Sequence, residues 1–257
     1  MQEQSILFKM KYSDITGERN KYGLYELKYN DEVIATYPSV TTILATIEDP
    51  DVLEIQNNLS KEQWDFVSKR GCDRGTAMHL FFENYSKALK EGKDEEEALL
   101  YTQKNSLNEL REQGIEEDFI KMGRDFFYNI FNESDYTKEV ANPILMEGLL
   151  FSREYGYAGR VDLVYQDNEG NIVIGDYKTS SQSDVPDYKM KILKYKMQIA
   201  AYAMAFYEIT KKMPDYGKIW MASSGGHQEF VVHKSELTIF FEAFKSALKK
   251  YNDKHKR

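Results

Sequence analysis

A single cysteine, Cys72, is the whole thiol complement of this 257-residue chain. One thiol excludes an internal disulfide framework and any cluster held by four cysteines of the chain, and it fits a reducing, intracellular (cytoplasmic) setting. Long apolar runs are missing too. No stretch reaches the ~20 residues that span a bilayer, and residues 1–11 lack the charged-then-apolar order of a secretory signal, so no membrane partner is expected. Low-complexity segments and internal repeats are absent, and the length suffices for a substantial core, so a folded, soluble protein is expected.

Positive charge is also in deficit, with a net charge of −8. That balance argues against a polyanionic partner until it is divided along the chain. Residues 188–257 hold 14 Lys/Arg against 6 Asp/Glu, a local +8 that leaves −16 for residues 1–187. An acidic lobe, densest at residues 91–118, and a basic C-terminal third can coexist with a groove that binds nucleic acid.

What is present is led by two apolar, β-branched runs, residues 159–165 and 172–178, around a turn cluster near Glu169. This pattern predicts an antiparallel hairpin with Asp162 opposite Asp176, and strand alternation puts Lys178 on the same face as Asp176. Like charges facing across a ladder are destabilising, and a divalent cation between them removes that cost. Carboxylate oxygens without clustered thiols suit Mg²⁺ or Mn²⁺ better than zinc or iron. A lysine beside such a cation can stabilise charge on a phosphate oxygen or help activate water, which points to phosphodiester hydrolysis. A solvated strand end is the plainer reading of Asp-x-Lys alone.

The remaining pattern predicts α/β layering, a mixed sheet covered by helices. Residues 24–29 and 33–37 read as a hairpin turning at Asn30-Asp31, and residues 38–44 as a strand exit into a capped helix. Residues 51 to about 131 read as helical, with breaks at Arg70-Gly71, Glu91-Gly92 and Gly114. Strands follow at 139–150, 153–165 and 172–178. A polar loop at 180–187, a helix at 189–209, strands at 218–222 and 229–233, and a helix from 235 to about 251 complete the chain. His79 and Glu83 share a helix face, and a neutral His79 could be a nitrogen ligand; a structural histidine is the alternative. Gln198 and Tyr202 share another face, within an Ala-rich stretch able to pack close to the sheet, and could hold the lysine, a water or a phosphate. Lys189, Lys191, Lys194 and Lys196 are candidate phosphate contacts.

Arg74-Gly75 with His79, Glu147, Gly159-Arg160-x-Asp162, Asp176-Tyr177-Lys178-Thr179-Ser180 and Gln198-x-x-x-Tyr202 occur together in this order. The series resembles the PD-(D/E)xK nuclease superfamily in its RecB-like exonuclease branch. Pro38-Ser39-Val40-Thr41-Thr42-Ile43-Leu44 adds a likeness to mitochondrial genome maintenance exonucleases and their phage relatives. The resemblance implies a restriction-endonuclease-like core (residues 136–257) with an N-terminal hairpin and helical lobe (residues 1–135) that contributes His79, together one compact unit. It implies a Mg²⁺- or Mn²⁺-dependent DNA exonuclease, of bacterial or phage origin, acting on single-stranded ends in repair or recombination. A structure-specific endonuclease and a catalytically silent nucleic-acid-binding protein are the alternatives. Metal ligands would be His79, Asp162, Asp176 and the Tyr177 carbonyl, with Lys178 catalytic, Glu147 auxiliary, and Gln198 and Tyr202 supporting. Several members of this branch carry an iron–sulfur cluster on four cysteines, which this chain does not have.

Overall fold

The computed structural model describes residues 11–140, 142–180 and 189–255. A short 3₁₀ turn (Tyr12–Asp14) leads into a three-stranded antiparallel sheet of β1 (Thr16–Arg19), β2 (Leu24–Tyr29) and β3 (Glu32–Pro38). The hairpin turns at Asn30 and Asp31, both at positive φ (48° and 64°), the left-handed pair that matches strand twist. β1 was not foreseen, since its four residues, Thr-Gly-Glu-Arg, carry no apolar alternation. Ser39 then caps α1 (Val40–Leu44), its hydroxyl accepting from the Thr42 N–H at 3.0 Å.

Five helices follow: α2 (Pro50–Asn57), α3 (Lys61–Lys90), α4 (Glu95–Glu112), α5 (Glu117–Glu133) and the short α6 (Tyr136–Glu139). The breaks expected at Gly92 and Gly114 are real, each a positive-φ glycine closing a helix. The break expected at Arg70-Gly71 is absent, and α3 runs through it for 30 residues. A helical glycine costs only about 1 kcal/mol relative to alanine. A capping box between Ser60 and Gln63, and the burial of Ala77, Met78, Phe81, Phe82, Tyr85 and Ala88 along one stripe, outweigh it. Glu139, expected to open a strand, instead ends α6, where its carboxylate reaches the Lys218 amine.

The main sheet has the order β4 (Asn142–Ser152), β5 (Tyr157–Gln166), β6 (Ile172–Thr179), β7 (Tyr216–Ser223) and β8 (Gly226–His233). All neighbours are antiparallel except β6 and β7, which are parallel and joined across α7 (Lys189–Thr210). The final helix is α8 (Lys234–His255). Strand alternation divides two cores. Leu163, Tyr165, Val173, Tyr177 and Trp220 pack under α3 and α5, whereas Val164, Ile174, Ile219 and Val232 pack under α7 and α8. Ala200, Ala201, Ala203 and Ala205 are fully buried, which lets α7 sit close on the sheet. Ser181 to Tyr188, most of the expected polar loop, and the side chain of Lys189 lie outside the described residues. No described helix is long and apolar enough to cross a membrane.

Candidate active site

Three carboxylates form a row across three adjoining strands. The pairs Met146↔Leu163 and Gly148↔Val161 bracket Glu147 and Asp162, and Leu163↔Gly175 places Asp162 one step from Asp176 across the next ladder. At this row the regular pairing gives way. Glu147 stands at φ 42°, a left-handed conformation that costs a non-glycine residue about 1–3 kcal/mol. Arg160 Nη1 donates to the Glu147 carbonyl at 3.0 Å, and Asp162 Oδ2 accepts from the Tyr177 N–H at 2.7 Å. Burial pushes the Asp162 carboxyl up, and the charges of His79 and Lys178 pull it partly back.

α3 brings His79 to the open side of this row. Its Nε2 lies 2.9 Å from the Tyr177 carbonyl oxygen, and its Nδ1 is 3.6 Å from both Glu147 Oε1 and Asp162 Oδ2. Burial opposes a charge on the imidazole, but the charges of Asp162 and Glu147 outweigh it and push His79 up to about 9. Ligand atoms of His79, Glu147 and Asp162 lie within 4.8 Å of one another. One imidazole, two carboxylates and a nearby carbonyl form a donor set suited to a hard divalent cation, with the imidazole deprotonated. The Tyr177 ring anchors this edge: it stacks on Phe82 at 4.0 Å, packs on Trp220, and its hydroxyl meets that of Tyr136 at 2.7 Å.

Asp176 lies behind the cluster with no exposed surface. Its Oδ1 accepts from Gln198 Nε2 at 3.0 Å, and its Oδ2 is 2.5 Å from Lys178 Nζ in a close ion contact whose direction is poor for a hydrogen bond. Burial raises the Asp176 carboxyl to about 6, against the pull of Lys178. Burial works against the Lys178 charge too, yet Asp176 and Asp162 push the amine up to about 12. Gln198 also reaches the Tyr202 hydroxyl at 3.5 Å. Gln198 thus meets the carboxylate, where the sequence left open the lysine, a water or a phosphate.

Gly159 is what lets Tyr202 approach. A Cβ there would stand 2.6 Å from Tyr202 Cε1, and that ring is buried against the sheet. Gly159→Ala is therefore expected to cost about 1–3 kcal/mol of stability by overpacking. By moving the ring that contacts Gln198, it should also lower cleavage at temperatures where the variant is still folded; circular dichroism melts run beside rate assays test both.

The sequence-derived residues meet in space. Glu147 joins His79 and Asp162, while Asp176 faces Lys178 and Gln198. A cleft of about 420 Å³ lined by Gly75, Thr76, His79, Leu80, Glu83, Gln113 and Glu147 opens onto the cluster. Sequence reasoning missed Tyr195, over whose ring Lys178 Nζ sits at 5.0 Å. Its spacing to Gln198 and Tyr202 on one helix face was the available signal. Phe82 and Tyr136, which lock Tyr177, carried no such signal, because they approach it from distant helices.

No curated protein matches the chain. Among solved structures, a protein from Eubacterium rectale provisionally named an exonuclease is 14% identical, over 70% of this chain and 69% of that one, with a TM-score of 0.36. The SSO0001 protein is 15% identical, over 35% of this chain and 40% of its own length, with a TM-score of 0.24. This chain thus spans about two fifths of the SSO0001 protein. The model of the PD-(D/E)XK nuclease superfamily matches residues 55–251. That span takes in the histidine-bearing helix, the acidic row and the lysine together, and the chain belongs to the PD-(D/E)XK nuclease superfamily.

Proposed function

We propose that this chain is a Mg²⁺- or Mn²⁺-dependent deoxyribonuclease that hydrolyses DNA from a free end, an exonuclease of the RecB-like branch. The observation that carries the reading is one juxtaposition: ligand atoms of His79, Glu147 and Asp162 within 4.8 Å of each other, beside a Lys178 amine paired at 2.5 Å with buried Asp176. His79, Glu147, Asp162 and the Tyr177 carbonyl would hold the cation, with Asp176 at the inner edge. When bound, the cation supplies Lewis acidity toward a phosphate oxygen and lowers the pKa of a water.

The chain's own groups do the rest. Lys178, raised to about 12, keeps its proton at neutral pH. It therefore serves as a fixed positive charge toward a phosphate oxygen, a better fit than a base toward water. Asp176 holds that amine in place, Gln198 holds Asp176, and Gln198 in turn contacts the Tyr202 hydroxyl. The products would carry 5′ phosphates. Residues 1–135 would form the hairpin and helical lobe over the site and residues 136–257 the core, with a single strand entering beneath the lobe.

End-labelled linear and closed circular DNA, single- and double-stranded, test this with Mg²⁺, Mn²⁺ or EDTA. Progressive shortening of linear single strands, intact circles and no cleavage in EDTA are expected. Cut circles would mean an endonuclease, and no turnover on any substrate a silent binding protein.

A further inference from the structure

The run Gly159-Arg160-x-Asp162 holds one residue that the chemistry above leaves unused. Arg160 is exposed on β5, and its Nη1 donates across the ladder to the Glu147 carbonyl at 3.0 Å. Its charge also acts on the buried Tyr25 hydroxyl of β2. The residue it grips is where β4 breaks its alternation. Leu145 packs into the core under α7 and α8, and Met146 into the core under α3 and α5, so regular alternation would turn Glu147 back toward α7. Instead Glu147 stays on the Met146 side, and both line one small cavity with His79. Gly148 then returns to the Leu145 side, where a Cβ would stand 2.1 Å from that leucine's Cγ.

β5 slips at the same level. Val161 and Val164 pack under α7 and α8, while the two residues between them, Asp162 and Leu163, both line the His79 cavity. The two slips match, so Met146↔Leu163 and Gly148↔Val161 keep one register on either side of the unpaired Glu147 and Asp162. A break in each strand is thus what puts both carboxylates on the histidine's face. On β5 the break is tied to β6 by the Tyr177 N–H, which donates to Asp162 Oδ2 at 2.7 Å. On β4 it takes Glu147 to φ 42°, a strained position for a residue with a Cβ. Glu147 has left the ladder pairing there, and Arg160 supplies a charged donor for its carbonyl.

We infer that Arg160 is a positioning residue of the cation site: by holding the Glu147 carbonyl it keeps the left-handed kink that aims the Glu147 carboxylate at His79 and Asp162. Arg160 itself meets neither the cation nor the scissile phosphate. The inference rests on the cation site proposed above. Charge and positioning predict opposite signs here. A positive group beside the row repels a cation, so by charge alone its removal would tighten cation binding. Without its donor Glu147 relaxes toward regular strand, and binding weakens.

The test uses the full chain with Mg²⁺ alone, without DNA, titrated by calorimetry. Arg160→Ala should raise the Mg²⁺ Kd about three- to tenfold, the size of one hydrogen bond's net contribution. Glu147→Gln should raise it too, and adding Arg160→Ala to that variant should raise it little further. In cleavage assays excess Mg²⁺ should restore Arg160→Ala, with KM for DNA unchanged. Where Arg160→Ala fails to fold, Arg160→Met, which keeps the apolar stem, decides by the same measurements. Unchanged or tighter Mg²⁺ binding in the variant, or losses that add in full to those of Glu147→Gln, overturn the inference alone. So does a raised KM at saturating Mg²⁺, which would make Arg160 a phosphate contact. A wild type that binds no Mg²⁺ overturns the cation site itself, and one that binds Mg²⁺ but cleaves no DNA overturns the nuclease reading instead.

Discussion

Replacing Lys178 by alanine should reduce the cleavage rate by about 10³-fold or more while leaving DNA binding nearly intact. Removing a single preorganised charge donor from an active site commonly lowers kcat by about 10²–10³-fold, and here the amine is also held in place by Asp176. The variant leaves Asp176 buried with Gln198 as its remaining partner. Burial already raises Asp176 to about 6 with the lysine present, and without it the carboxyl should rise further. The consequence for stability has a definite sign. A group whose folded pKa lies above its unfolded value stabilises at low pH and loses that contribution as pH rises through the folded value. Lys178→Ala should therefore melt close to wild type near pH 5 and fall behind it between about pH 6 and 8. Thermal melts across that range, beside single-turnover cleavage, check both halves. Retained cleavage by Lys178→Ala would remove the lysine from the mechanism.

Asp162→Asn should weaken the response to divalent cation severalfold while preserving the fold. An asparagine Oδ1 can still accept from the Tyr177 N–H, which Asp162 now does at 2.7 Å, so β6 keeps its anchor. The central charge of the carboxylate row is gone, however. If cation affinity falls 100-fold, the stabilisation at a concentration of 100 times the wild-type Kd drops by roughly 2–3 kcal/mol. The Mg²⁺-induced rise in melting temperature should then shrink severalfold, together with cleavage. The pH dependence of cation binding should move as well. In the wild type, the cation must displace a proton from His79, which is raised to about 9, so affinity should climb up to about that pH. Asp162 is the largest of the charges that raise His79; its removal lowers the imidazole pKa, and residual cation binding should level off at lower pH. Calorimetry between pH 6.5 and 9.5 follows both effects. An undiminished Mg²⁺ response would exclude Asp162 from the ligand set.

Local patterns carried far in this chain because its sheet residues obey them. The β-branched runs around Glu169 predict Asp162 opposite Asp176, and the observed ladder ends one step short of that pair, at Leu163↔Gly175. Alternation put Lys178 beside Asp176, and helical spacing put Gln198 and Tyr202 on one face; the contacts at 2.5 Å and 3.5 Å follow. Alanines at 200, 201, 203 and 205 announced a helix packed tightly on strands, and all four are buried. Periodicity failed where burial outweighed local preference, as in α3, which passes through Gly71 because its apolar stripe fills the core under the sheet.

The sequence by itself determined the inventory and the pairing: one thiol, the opposed aspartates, the lysine beside them and the helix face behind them, all set by spacings of two, three and four residues. The tertiary structure decided how that inventory is divided. Only packing brings α3 over the sheet so that His79 meets Glu147 and Asp162, turns Glu147 into a left-handed kink, and commits Asp176 to Lys178 and Gln198. Apart from Asp176–Lys178, those contacts join residues tens of positions apart. Burial and charge choose such partners, and neither is a property of any short stretch of chain.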